Sequence, residues 1–151
     1  MSEHKVFSRS HSIEIHAPAG DILNYVSNPN SWPEWLAASH HIESPDRPLG
    51  VGDVFHELWH TRHGEARLDW SVTEREHPNL WTGVTHTDFT GPIHVTYKVE
   101  VLDEERCLYT RVMFNPARPK LPSSDAIVRM DEEAVIALAN IKKNVESKGT
   151  S

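Results

Sequence analysis

Ser123-Ser124-Asp125-Ala126-Ile127-Val128-Arg129-Met130-Asp131-Glu132-Glu133-Ala134-Val135-Ile136-Ala137-Leu138-Ala139-Asn140-Ile141-Lys142-Lys143-Asn144-Val145-Glu146 is the one long unbroken amphipathic stretch of this chain. Ile127, Met130, Ala134, Leu138, Ile141 and Val145 recur at steps of three and four, which lines them along one stripe of a helix. Such a helix is about 36 Å long at ~1.5 Å rise per residue. A domain of 151 residues has a radius of gyration of only ~15 Å, so the helix must cross most of the molecule. A sheet wrapped on one such rod easily leaves a hollow, and the pattern therefore predicts an internal ligand pocket.

Upstream of the helix the text is mostly strands. Phe7 to His16 alternates, with Phe7, His11, Ile13 and Ile15 on one face and Ser8, Ser10, Ser12 and Glu14 on the other, as an antiparallel strand with one wet side does. Pro18 suits a first helical turn, Ile22, Leu23, Tyr25 and Val26 form a short apolar face, and Asn28-Pro29-Asn30 stops that helix. Ser31 to Leu36 reads as a second short helix, with Ser31 placed to cap it and Pro33 in its first turn. Strands follow at His41 to Glu43, Asp53 to Thr61, Glu65 to Glu74, Leu80 to Asp88, Ile93 to Leu102 and Cys107 to Phe114, broken at turn signals such as His63-Gly64 and Gly91-Pro92. The three prolines of Asn115 to Pro122 exclude that segment from a sheet interior.

Composition narrows the function classes. The formal charge is 15 − 22 = −7 with no basic run, which argues against nucleic acid as a partner, since phosphate binding wants clustered Lys and Arg. Eleven histidines could raise the net charge by as much as +11, to +4, below about pH 6.5, so charge-driven behaviour should depend strongly on pH. Cys107 is alone, so an intrachain disulfide is ruled out. The polar start MSEHKVFSRSHS lacks the apolar region of a signal peptide. No apolar run reaches the ~18 residues of a membrane span. These features predict a cytoplasmic, soluble protein of one domain over residues 1–151, with an ordered core of about 7–146.

Three stretches carry a resemblance: Ser12-Ile13-Glu14-Ile15-His16-Ala17-Pro18-Ala19 with Ile22 and Tyr25; Asn28-Pro29 with Trp32-Pro33-Glu34-Trp35; and Val51-Gly52-Asp53-Val54-Phe55. With the element order they make the chain, from about Phe7 to Val145, similar to the SRPBCC superfamily, which includes START lipid-transfer domains, the birch-pollen allergen type and polyketide cyclase/dehydrase-like proteins. The resemblance implies an α+β helix-grip fold: a curved seven-stranded antiparallel sheet around the long C-terminal helix, with two short helices between strands 1 and 2. It carries no catalytic motif over to this chain.

In such a fold the concave sheet face and the inner helix stripe surround the cavity, and alternation nominates the lining. The more apolar set of each strand should point inward: Leu68, Trp70 and Val72; Leu80, Thr82, Val84 and His86; Val95, Tyr97, Val99 and Val101; Leu108, Thr110, Val112 and Phe114. For Asp53 to Thr61 either face is arguable; we take Phe55, Glu57, Trp59 and Thr61 inward, because two large aromatics are costly to leave in water. Met130, Ala134 and Leu138 complete the expected lining from the helix. Glu57, between two aromatics, would have a raised pKa and could pair with His86 as acid and base. Thr82, His86, Tyr97 and Thr110 need partners or a ligand if they face inward.

No metal or cofactor is expected. His56 and His60 have the spacing of a zinc helix, but on a strand they stand about 13 Å apart at ~3.3 Å per residue. His40-His41 point to opposite sides, and His60 and His63 flank a turn with no acidic complement. There is no Gly-x-Ser-x-Gly elbow, and Cys107 falls on the outward set of its strand. Trp32 and Trp35, at i and i+3, are expected to plug one end of the barrel. The sequence thus favours binding of a small hydrophobic or aromatic molecule by a carrier, sensor or sequestering protein. A second reading is a cyclase-, dehydratase- or hydrolase-type enzyme in which Glu57, His86 or Tyr97 moves protons. A third is a regulatory interaction module with a filled cavity and an outer apolar patch including Tyr109 and Met113, a face a homodimer would use.

Overall fold

A computed structural model of the protein describes residues 5–36, 39–61, 64–87 and 91–148, with side chains at all of these except 39–40, 60–61 and 148. Seven strands form one sheet: β1 (Lys5–Ile15), β2 (Ser39–Glu43), β3 (Val54–Thr61), β4 (Gly64–Glu76), β5 (Leu80–Thr87), β6 (Gly91–Val101) and β7 (Cys107–Arg118). The spatial order is β1-β7-β6-β5-β4-β3-β2, every pairing antiparallel. Between β1 and β2 lie α1 (Ala19–Val26), a short 3-10 turn (Pro29–Ser31) and α2 (Trp32–Trp35); α3 (Ser124–Lys148) ends the fold. This is the helix-grip arrangement that the resemblance implies.

Local chemistry explains the elements. Pro18 sits at the N-cap of α1 with extended backbone (φ −62°, ψ 145°), and its carbonyl accepts from the amides of Asp21 and Ile22. Ile22, Leu23 and Val26 of α1 are fully buried, which anchors the helix on its apolar face. Ser123 Oγ accepts from the amide of Ala126 at 3.1 Å and so caps α3. Ser31 does not cap α2 as expected. Its hydroxyl instead donates to the Tyr25 carbonyl (2.7 Å) and accepts from Trp35 Nε1 (3.1 Å), tying the two small helices together.

The centre of the molecule is aromatic. Trp32 and Trp35 are buried, as expected of a plug. The Trp32 ring lies 5.2 Å from Phe55, 5.5 Å from Trp70 and 6.3 Å from both Trp81 and Tyr97, in edge-to-face geometry. Trp81 and Tyr97 stack at 5.1 Å, and Phe55 and Trp70 at 6.0 Å. Such pairs add about 0.5–1.5 kcal/mol each beyond the area they bury.

Register overturns the expected inner set on two strands. On β5, Trp81, Gly83 and Thr85 stand opposite Tyr97, Val95 and Ile93 of β6, so they face inward and Leu80, Thr82, Val84 and His86 face outward. On β7, Tyr109, Arg111 and Met113 stand opposite Val99, Tyr97 and Val95; they and buried Cys107 face inward, while Leu108, Thr110, Val112 and Phe114 face outward. Thr110 confirms this through an exposed hydroxyl contact with Ser12 (2.8 Å), and Phe114 packs edge-on against outward His94. The outer-patch assignment of Tyr109 and Met113 therefore does not hold. Apolar count misleads here because both faces carry hydrophobic residues, and the inner one tolerates Gly83 and Arg111. Val101, expected inward, is 58% exposed at the strand end.

The proline-rich segment also differs from expectation. β7 runs on through Pro116 to Arg118, and its pairing with β1 slips between Phe7↔Asn115 and Lys5↔Arg118. Pro116 falls inside that irregularity, where a missing N–H costs no regular ladder bond.

Gly83 is dictated by the rings beside it. A Cβ there would lie 2.8 Å from Trp81 Cη2 and 3.4 Å from Trp70 Cε3. Gly83→Val is expected to lower stability by about 1–3 kcal/mol, measured as a fall in the urea midpoint at unchanged slope. Val84→Thr, one residue along on the outer face, should stay within about 0.5 kcal/mol of wild type.

Candidate functional site

The residues expected to line a pocket divide in two. Phe55, Glu57, Trp59, Leu68, Trp70, Tyr97 and Val99 do lie on the concave face, and Met130, Ala134 and Leu138 lie on the stripe of α3 turned toward it. Thr82, Val84, His86, Thr110 and Phe114 lie on the convex face. His86 is exposed, so the proposed Glu57–His86 acid–base pair is not assembled. Thr82 uses its hydroxyl on Thr96 across the strands (3.1 Å). The expectations placed on His63, and on the side chains of His40 and His60, fall outside what is described.

The interior is not uniform along its length. Toward the α1 end, Phe55, Trp81, Tyr97 and Tyr109 are fully buried, and Ile141 and Val145 of α3 close over that end. Toward the start of α3, inward-facing apolar groups are only partly covered: Trp59, Met113, Ile127 and Met130 all keep some exposure. The α3 stripe thus buries one half of the sheet fully and leaves inner apolar groups of the other half partly exposed. That half is the candidate site.

Polar groups concentrate at the boundary between the halves. Glu57 is 2% exposed, and its Oε1 accepts from Trp70 Nε1 at 3.0 Å. Tyr97, Arg111 and His11 form one row across β6, β7 and β1. Burial, first, and then the Glu57 charge push the Tyr97 hydroxyl pKa up, while the neighbouring Arg111 guanidinium opposes them. Burial likewise raises Tyr109 well above its ordinary value, with the Tyr97 charge adding and Arg111 opposing. Both phenols are therefore hydrogen-bond donors at neutral pH. None of Arg111, Tyr109 and His11 was nominated as a site residue from sequence. The row that joins Arg111 to Tyr97 and His11 is a cross-strand pairing, which residue order does not contain, and the more apolar set of β7 points the other way.

The row continues onto α3. Arg9 donates through both Nε (2.9 Å) and a terminal nitrogen to the Asp131 carboxylate, and His11 Nε2 lies 2.9 Å from Asp131 Oδ1. Lys142 Nζ on the next turns donates to the Glu14 carbonyl (2.9 Å). These contacts pin α3 along β1. Among the described residues no three or more His, Cys, Asp or Glu side chains gather as a metal site would need. Elsewhere, a depression of about 630 Å³ opens at the other end between α1, α2 and Asp46–Pro48, against Val145. Its rim is polar (Asp21, Asn24, Asn28, Glu34), and it is not part of the concave sheet face.

The chain belongs to the family described as polyketide cyclase / dehydrase and lipid transport, which it matches over residues 7–146. No curated protein matches it by sequence. Among solved structures it is similar to the Zhui aromatase/cyclase from Streptomyces sp. R1128, with a TM-score of 0.73 at 10% identity over 94% of each chain. A START superfamily protein from Mycobacterium smegmatis aligns with a TM-score of 0.70 at 14% identity, over 93% of this chain and 97% of that one. Ara h 8.0201 aligns with a TM-score of 0.69 at 12% identity, over 95% and 99%. At such identities the likeness is one of fold. No helix among the described residues is long and apolar enough to cross a membrane.

The clamp on α3 has a definite pH signature. Hydrogen bonding from Arg9, first, and then from His11 outweighs burial and holds the Asp131 carboxyl below its ordinary pKa. A depressed carboxylate stabilises the fold above its unfolded pKa of ~3.9, and that contribution disappears as pH falls through the folded-state value. Asp131→Asn should therefore lower the urea midpoint at neutral pH, with the gap to wild type closing as the pH is taken below about 4. A gap that persists in acid would mean that packing, not charge, makes the contact.

Proposed function

We propose that this member of the polyketide cyclase/dehydrase and lipid-transport family binds a small hydrophobic or aromatic molecule between its concave sheet face and the first half of α3. The role that fits is carriage, sensing or sequestration. One observation carries the reading: Trp59, Met113, Ile127 and Met130 face inward yet remain partly open to solvent, although the same sheet packs its other half to full burial. Inward apolar groups that stay wet are surface a ligand can dry, each large one contributing about 1.5–3 kcal/mol. A few such contacts suffice for micromolar binding, about −8 kcal/mol.

Binding is favoured over catalysis by where the polar groups went. His86, the expected proton carrier, is on the convex face. Glu57 is engaged by the Trp70 indole, and Tyr97 has its pKa pushed up by burial, away from neutrality. The general acid–base pair that proton shuttling needs is not present among these candidates.

The test is a titration with methyl 2-naphthoate, an uncharged aromatic ester, followed by quenching of the tryptophans. The expected result is saturable one-site binding with Kd on the order of micromolar, weakened about ten-fold or more by Met130→Trp, which fills the space at the start of α3. Quenching that never saturates, or that ignores Met130→Trp in a folded variant, would overturn the reading.

A further inference from the structure

On the inner face of β7, two side chains two residues apart carry buried polar atoms that no described residue satisfies: Tyr109 Oη and Arg111 Nε. Tyr109 is fully buried, its ring 5.9 Å from that of Tyr97. Arg111 stands opposite Tyr97 on one side and His11 on the other. The other cations of this face are already matched, because Arg9 and His11 both take Asp131. The inner carboxylate of β3, Glu57, takes the Trp70 indole. Among the described residues Arg111 is the inner-face cation without a carboxylate: its guanidinium hydrogen-bonds the Tyr97 hydroxyl, and its Nε is unsatisfied. A buried donor with no acceptor is costly, more so when it is charged.

These unmet groups are all donors, and both phenols stay protonated at neutral pH. The complementary group is one that only accepts. A carboxylate meets a guanidinium through two parallel hydrogen bonds, and a flanking hydroxyl supplies a third. The surrounding face is apolar, with Val95 and Met113 in the adjoining row and Met130 across on α3. We infer that Arg111 and Tyr109 receive the carboxylate of an amphipathic ligand whose apolar body lies toward Met113 and Met130. The inference rests on the binding site proposed above and specifies the class of molecule that enters it: an aromatic or aliphatic acid rather than a neutral lipid or hydrocarbon.

The experiment compares 2-naphthoate with its methyl ester at neutral pH, in wild type and in Arg111→Gln, Arg111→Lys and Tyr109→Phe. The acid is expected to bind about ten-fold more tightly than the ester. Arg111→Gln should abolish that advantage while leaving the ester's affinity in place, and Arg111→Lys, which keeps the charge but not the fork, should retain part of it. Tyr109→Phe should weaken the acid alone. It should leave the unliganded protein's melting temperature unchanged or higher, because the hydroxyl removed has no partner to lose. Equal affinities for acid and ester in wild type overturn the inference. So does a preference that survives Arg111→Gln, or a Tyr109→Phe protein that melts lower with unaltered acid binding. Failure of the ester itself to bind is a different result: it removes the interior site, and the inference with it.

Discussion

Everything in this molecule is arranged around one indole. Trp32 comes from a four-residue helix that could not persist alone, yet its ring contacts side chains from β3, β4, β5 and β6 at once. Its own Nε1 is satisfied by the Val26 carbonyl of α1 at 2.9 Å, so nothing polar is stranded by burying it. Gly83 is bare because the rings of Trp81 and Trp70 occupy the place of a side chain. The short helices, the sheet's curvature and the glycine are thus parts of one packing solution at one end of the fold.

That solution decides what the other end can be. An aromatic cluster fills the volume beneath the last turns of α3, where Ile141 and Val145 close over it. The first turns have no comparable filler and are held by charge instead, through Arg9, His11 and Asp131. Apolar packing tolerates little displacement, whereas a partly exposed ion pair contributes modestly and admits water beside it. The fold therefore has a dry, rigid end and a wetter end, with Tyr97 and Arg111 at the frontier between them.

Much of this could be read from residue order, and the limits are physical. The long helix was plain because Ala134, Leu138, Ile141 and Val145 repeat at helical steps over many turns, and its boundaries, Ser124–Lys148, differ by little from those expected. Strand positions followed from turn residues, and Phe55 and Glu57 were placed inward correctly on the argument that two aromatics need cover. The failures came where alternation is a weak vote. On β5 a single large residue, Trp81, outweighed four smaller candidates including His86; on β7 Tyr109 and Arg111 outweighed Leu108, Thr110, Val112 and Phe114. Facing is set by cross-strand neighbours, and those pairings are long-range information that a strand read alone does not contain. Arg111 escapes notice for a related reason, since an inward-facing, half-buried guanidinium contradicts the hydropathy rule for finding the inside.

The pairing of β1 with β7 has a consequence for how the chain is made. Ile15 meets Cys107 and Phe7 meets Asn115, so the first of the seven strands waits for the seventh. The hairpins from β3 to β7 join neighbours and can form as they emerge, and the tryptophan helix meets its partners on β3 to β6 on the way, but β1 must remain unpaired until β7 has been made. Topologies dominated by such distant closures fold slowly and expose strand edges meanwhile. The edge most exposed to misassociation in the meantime is therefore that of β1, Lys5–Ile15.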